Sequence, residues 1–188
     1  MPFGDPTARG GKWITGPGID FINAVKKGLP ELKLIAEDLG YLTQDVLDLR
    51  DESGYPGMKV LQFAFDSREP SDYLPHTYTA NSVCYTGTPE MQKYATEYMH
   101  LDEQEGLVWG VIRTAMASVS DTCIIPVQDY LNLGGEARMN FPGTTNSNWT
   151  WRAKDGMITD ALAEKIHHLT VLYARLGTQA EKAEPKKA

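Results

Sequence analysis

Apolar positions along this chain repeat with two periods, and the switches between them predict alternating helices and strands. Residues 19–29 place Ile19, Ile22 and Val25 on one side at helical spacing, and Pro30 ends that helix. Residues 32–36 form a short apolar-rich run, read as a buried strand, that leads straight into Glu37, Asp38 and Gly40. Thr43 is a fitting N-cap for a second helix, with Asp45 in its first turn, Val46 and Leu49 inward and a stop near Gly54. Residues 56–65 predict a second strand, on which Phe63 alternates to the same face as Leu61 and Phe65. Residues 66–81 contain prolines and no helical period, so they read as a long loop.

The second half repeats the alternation. Residues 82–88 form a third strand and 121–129 a fourth. Between them a helix takes part of 89–100. A stronger one starts at Glu103, with a stripe of Leu107, Val108, Val111, Ile112, Ala115 and Val119. A last helix covers 160–176, with Leu162, Ile166, Leu169, Tyr173 and Leu176 inward. Residues 178–188 are charged and alanine-rich without a bulky apolar face, and read as a disordered tail. The expected organisation is one domain over 1–177 followed by that tail. Its class is α/β, with a parallel sheet and flanking helices.

Composition narrows the function. At 188 residues with 41% hydrophobic content the chain is long enough for one substantial core. A net charge of −7 argues against nucleic acid and anionic membrane as partners. No apolar run reaches membrane-spanning length, and the first residues lack the basic and apolar regions of a signal peptide. Cys84 and Cys123 lie inside strand-like runs and read as small buried apolar side chains rather than a disulfide or metal site. A reducing cytoplasm is the expected location. His76, His100, His167 and His168 have no metal-ligand spacing, and no cofactor is implied.

Candidate chemistry sits at the strand ends. Side chains alternate along a strand, so Glu37 and Asp38 point opposite ways: one can face a pocket while the other supports the following loop. Asp66 and Asp129 also end strands, where a cap or loop hydrogen bond is the favoured role. Arg138 and Asn140 lie in a glycine-flanked loop and carry donors that suit a polar ligand; pairing of Arg138 with Glu136 or Asp129 is an equal structural alternative. Trp149 and Trp151, two apart, share a face if the segment is extended.

The ordered run of Ala36-Glu-Asp-Leu-Gly40, Pro56-Gly-Met-Lys-Val-Leu-Gln-Phe-Ala-Phe65, Tyr85-Thr-Gly-Thr88, Pro126-Val-Gln-Asp129, Glu136-Ala-Arg-Met-Asn140 and Asn148-Trp-Thr-Trp-Arg152 resembles the 4-α-glucanotransferases. These are the amylomaltases or disproportionating enzymes of glycoside hydrolase family 77. The resemblance covers residues 2–176 and includes Gly10-Gly-Lys-Trp13 and Gly16-Pro-Gly18. It implies the C-terminal half of a (β/α)8 TIM barrel, with four parallel strands and flanking helices. It implies transfer of α-1,4-glucan segments between maltooligosaccharides, or from starch- or glycogen-derived glucans, by a retaining double displacement. Retaining enzymes place two carboxyl groups about 5–5.5 Å apart, one as nucleophile and one as acid/base. By resemblance Glu37 is the acid/base, and it must arrive protonated. Phe63 borders the sugar site, Arg138 and Asn140 lie in the substrate cleft, and the loop of Arg9 and Trp13 approaches the acceptor side. The resemblance also implies that the segment around Trp149 and Trp151 serves mostly in structural packing.

Two departures from the family pattern carry expectations of their own. The family's nucleophile lies in a motif like arginine-isoleucine-aspartate-histidine, which does not occur here. The family's third carboxylate lies in a histidine-aspartate-asparagine-aspartate run directly after the segment matching Tyr85-Thr-Gly-Thr88. Here Pro89-Glu90 follows at once, as an internal deletion would leave it. Glu90 reads as a first-turn helix acid, not a replacement. The alternative to an active transferase is therefore a truncated, inactive derivative that keeps weak glucan binding. A half-barrel also leaves strand edges unpaired, which predicts self-association.

Overall fold

The structure is a computed structural model that describes residues 3–4, 7–12, 14–40, 42–65, 72–87, 93–101, 104–141, 143–146 and 148–177. Asp66, Thr88, Glu90, Trp13 and the tail 178–188, all named above, lie outside the described residues. The chain divides into two compact units, Met1–Gly57 and Met58–Ala188.

The first unit holds two helices, α1 (Ile19–Gly28) and α2 (Gln44–Ser53). On α1 the partly buried side chains include Ile19, Ile22 and Val25, as their spacing predicts, whereas Phe21 stays 61% exposed. Helix α2 follows Thr43 in extended conformation and ends at Gly54 in the left-handed region (φ 67°), where a side chain would be strained. The helices are tied where α2 ends: the Lys26 ammonium donates to the Ser53 carbonyl (2.5 Å) and lies 5.1 Å from the centroid of the Tyr55 ring. Leu49 is partly buried but Val46 is exposed, so only half of the expected α2 stripe turns inward.

The predicted strand at 32–36 is not part of the sheet. Leu32, Leu34 and Ile35 remain 37–48% exposed, so the burial that an apolar run gains as an internal strand is not realised. One backbone bond runs from Ala36 N–H to the Pro56 carbonyl (2.9 Å).

The sheet itself has three strands in the order β1 (Gly57–Val60), β2 (Ser82–Tyr85) and β3 (Thr122–Ile124). Strands β2 and β3 run parallel, with Val83, Cys84 and Tyr85 opposite Thr122, Cys123 and Ile124. The class is thus the expected α/β arrangement of parallel strands with flanking helices, with three described strands in place of four. Between strands lie α3 (Lys93–Tyr98) and α4 (Leu107–Met116), and α5 (Val127–Tyr130) and α6 (Asp160–Leu172) follow. On α4 the buried positions are Gly110, Val111, Ile112, Ala115 and Met116; Leu107 and Val119, at the ends of the predicted stripe, are exposed. Thr159 caps α6 by accepting the Leu162 N–H (3.2 Å), and Leu162, Ile166, Leu169, Tyr173 and Leu176 are all partly buried.

The second correction concerns residues 61–65. They turn into a 3-10 helix rather than continuing the strand. Leu61, Ala64 and Phe65 are buried there while Phe63 is 45% exposed, so Phe63 does not share a face with Leu61 and Phe65. In a 3-10 turn positions i and i+3 eclipse, which puts Leu61 and Ala64 together and turns Phe63 out. Leu61, Ala64 and Phe65 pack with Tyr78, Cys84, Ala95, Met99, Val111 and Ala115 to form the core of the second unit.

Candidate active site

The chemistry-bearing residues fall in both units. In the first, Glu37 and Asp38 differ in burial although no strand precedes them: Asp38 is 6% exposed and Glu37 is exposed. Asp38 Oδ2 accepts from Arg50 Nη1 at 2.7 Å, and the same guanidinium reaches Asp51 Oδ1 through Nη2 at 2.6 Å. These contacts hold the Arg50 guanidinium firmly charged against its partial burial. A Cβ at Gly57 would collide with Asp38 Oδ2 and stand 3.0 Å from its Cγ, so the backbone passes where only glycine fits. Asp38 is therefore the anchored carboxylate, and Glu37 is the one presented outward.

In the second unit the C-terminal end of β2 is fastened to α5. Thr86 Oγ1 donates a short hydrogen bond to Asp129 Oδ2; Thr86 is 1% and Asp129 4% exposed. Burial pushes the Asp129 carboxyl up, and the Thr86 bond pulls it partly back. This is the loop-supporting role favoured for Asp129. Gly87 follows at φ 61°, and a Cβ there would stand 2.8 Å from Gln62 Cβ. The Thr-Gly step thus allows the end of β2 to pass close against the 3-10 turn that carries Phe63. Phe63 itself meets Tyr73 edge-on, with centroids 5.4 Å apart.

Arg138 and Asn140 are both exposed in the loop after the 3-10 turn Gly135–Ala137. Arg138 Nε donates to the Asn140 carbonyl (3.1 Å), and its guanidinium lies 5.2 Å from the Phe141 ring centroid. Glu136 accepts from Gly134 N–H instead (2.9 Å). The far side of the loop is pinned by Asn148, whose Oδ1 accepts from Phe141 N–H at 2.8 Å and whose Nδ2 donates to the Thr144 carbonyl at 3.0 Å. The described residues of this loop thus carry donors and acceptors that suit a polyhydroxylated ligand. Trp149 is 70% exposed with φ 62°, whereas Trp151 is partly buried, so the two do not form one packed face; the left-handed backbone at Trp149 breaks the alternation that an extended segment would give.

His76 Nδ1 and Tyr98 Oη are hydrogen-bonded at 2.9 Å, while His100, His167 and His168 are exposed. Among the described residues no three His, Cys, Asp or Glu side chains are grouped to hold a metal ion.

The order of these parts along the chain is that of one known enzyme family. A family model described as 4-alpha-glucanotransferase matches residues 1–159. The chain belongs to the 4-α-glucanotransferase family. A 4-alpha-glucanotransferase of Clostridium butyricum is 46% identical over 190 residues, covering 93% of this chain and 39% of the relative. One from Thermus thermophilus is 36% identical, covering 94% of this chain and 39% of that protein. The solved amylomaltase of Streptococcus agalactiae in complex with acarbose superposes with a TM-score of 0.81 at 32% identity, over 88% of this chain and 37% of that one. The chain thus spans about two fifths of the relatives it matches. The C. butyricum match extends over 190 aligned residues yet uses 93% of a 188-residue chain, so that glucanotransferase carries positions inside the matched region that this chain lacks.

The resemblance read from the motifs is confirmed at the level of family and fold class. Three supporting contacts were not legible beforehand: Asp38–Arg50, Thr86–Asp129 and the clamp of Arg175 on the end of α4. Arg175 donates to the carbonyls of Met116 (2.7 Å), Ser118 (2.8 Å) and Ser120 (3.1 Å). An arginine more than fifty residues from its acceptors leaves no local sequence signal.

Proposed function

We propose that this chain serves 4-α-glucan transfer, moving α-1,4-glucan segments between maltooligosaccharides by a retaining double displacement. The observation that carries this is Glu37: an outward carboxylate beside a buried, arginine-anchored aspartate, within the family-matched residues. Glu37 acts as the acid/base. It protonates the departing glucan oxygen, then takes the proton from the incoming glucan hydroxyl. Phe63 borders the sugar, and Arg138 and Asn140 hydrogen-bond its hydroxyls. The amylomaltase relative in complex with acarbose supports a glucan as the ligand. Free thiols at Cys84 and Cys123 support a reducing, cytoplasmic setting.

A second reading is favoured by the positions this chain lacks inside the matched region. We place that gap after Thr88, where the family's stabilising aspartate stands. On this reading the chain by itself turns over no glucan and keeps only weak binding, and self-association through unpaired strand edges accompanies it. Incubation of the purified chain with maltotriose separates the two. Glucose and a ladder of longer glucans, abolished by Glu37→Gln, establishes the first reading; no products over a long incubation establishes the second.

A further inference from the structure

We propose that Cys84 and Cys123 form a redox-responsive dithiol site, closing to an intramolecular disulfide when a small-molecule disulfide enters the cavity beside β3. The register of the sheet carries this inference. Cys84 on β2 is the direct partner of Cys123 on β3, and the two strands are parallel. Directly paired residues of parallel strands project from the same face, with strands about 4.8 Å apart. That spacing falls within the Cα separations of about 4.4–6.8 Å that a disulfide spans.

Access is arranged on one side only. Cys84 has 0% exposure and belongs to the core, whereas Cys123 is partly exposed. Cys123 lines an open cavity of about 530 Å³ together with Met116, Thr122, Thr170, Tyr173 and Arg175. A small reagent therefore meets Cys123 first and finds Cys84 directly behind it. Cys84 is held below its ordinary value chiefly by the neighbouring Cys123, against its burial. Cys123 is pushed up by the neighbouring Cys84 and by burial. The Arg175 charge favours the thiolate form at both sulfurs.

The steps balance. The Cys123 thiol loses its proton to solvent and its sulfur attacks one sulfur of the small disulfide; the S–S bond breaks and one small thiolate leaves. The Cys84 sulfur then attacks the Cys123 sulfur of the mixed disulfide, releasing its proton to solvent and expelling the second small thiolate. The protein dithiol is oxidised and one small disulfide is reduced. The new bond would tie β2 to β3, the strands that lead to Thr86 and to Asp129.

The test treats the full folded chain with 2-hydroxyethyl disulfide, with near-UV circular dichroism recording that it stays folded. The expected result is loss of both titratable thiols and a mass lower by two hydrogen atoms. Peptide mapping should then show Cys84 joined to Cys123, and dithiothreitol should reverse the change. Cys84→Ser should stop at a single mixed disulfide on Cys123, and Cys123→Ser should leave Cys84 unreacted. A stable mixed disulfide on the unsubstituted chain overturns the proposal. So does a covalent dimer through Cys123, or a cross-link that forms only in urea. The peptide map of the unsubstituted chain decides the question even if neither variant folds.

Discussion

The Asp38 carboxylate and the Arg50 guanidinium meet at 2.7 Å, joining the segment after residues 32–36 to helix α2 within the first unit. Asp38 is nearly inaccessible and Arg50 about three-quarters covered, so the pair is shielded more than a surface bridge. The ion pair selects which of two adjacent carboxylates faces outward, and so which of them is available for chemistry.

Removing one partner should therefore cost more than removing both. Asp38→Ala or Arg50→Met is expected to lower stability by about 1–3 kcal/mol, because each breaks a shielded, charge-assisted hydrogen bond. The double variant should recover part of that loss. Gly57→Ala should reproduce the effect from the backbone side, since its new methyl group collides with Asp38. Urea unfolding of the four variants checks all three statements, and additive losses in the double variant would refute the pairing.

Asp129 should impose a pH dependence of the opposite sign to that of an ion-paired carboxylate. Its folded pKa is raised by burial above the ordinary aspartate value near 3.8. A raised acid binds more protons folded than unfolded, so its contribution is complete below the unfolded pKa and declines as pH rises through the folded one. Asp129→Asn keeps the acceptor for Thr86 and removes the charge. That variant should gain stability relative to the parent between about pH 4 and pH 7, the lower limit lying at the unfolded aspartate pKa. Urea midpoints at the two pH values provide the measurement, and a constant difference between the proteins contradicts the assignment.

Glu37 is exposed and should matter little to folding. Glu37→Gln is expected to change stability by no more than about 0.5 kcal/mol. In any preparation that disproportionates maltotriose, the same substitution should lower kcat by at least about 100-fold, the range for loss of a general acid/base. A glutamine variant that melts normally and retains full turnover would remove Glu37 from the mechanism.

The loop of Arg138 and Asn140 gives a binding prediction. Each exposed hydrogen bond to a sugar competes with water and contributes on the order of 1 kcal/mol. Asn140→Ala or Arg138→Ala should then weaken maltoheptaose binding by about fivefold each. Amide shifts during titration report it. Unchanged affinity in both variants would show that the glucan binds elsewhere.

How much of this was legible in advance depended on the distance along the chain that each feature spans. Helices α1, α2 and α6 could be read because Ile19, Ile22 and Val25, or Leu162, Ile166 and Leu169, repeat within a turn or two of helix, where side chains meet neighbours of their own segment. The ordered motifs from Ala36 to Arg152 likewise carried the family, because each motif is a local string. Only the tertiary structure decided that Phe63 turns outward, because the alternation expected of a strand gives way where the chain tightens into a 3-10 turn. It also decided that Asp38 rather than Glu37 is anchored, that Cys84 stands opposite Cys123, and that Arg175 closes the end of α4. Those outcomes depend on partners 12 to 59 positions away. A partner at that distance is chosen by strand register and by the burial available when elements pack, and neither is encoded in the local period of apolar residues.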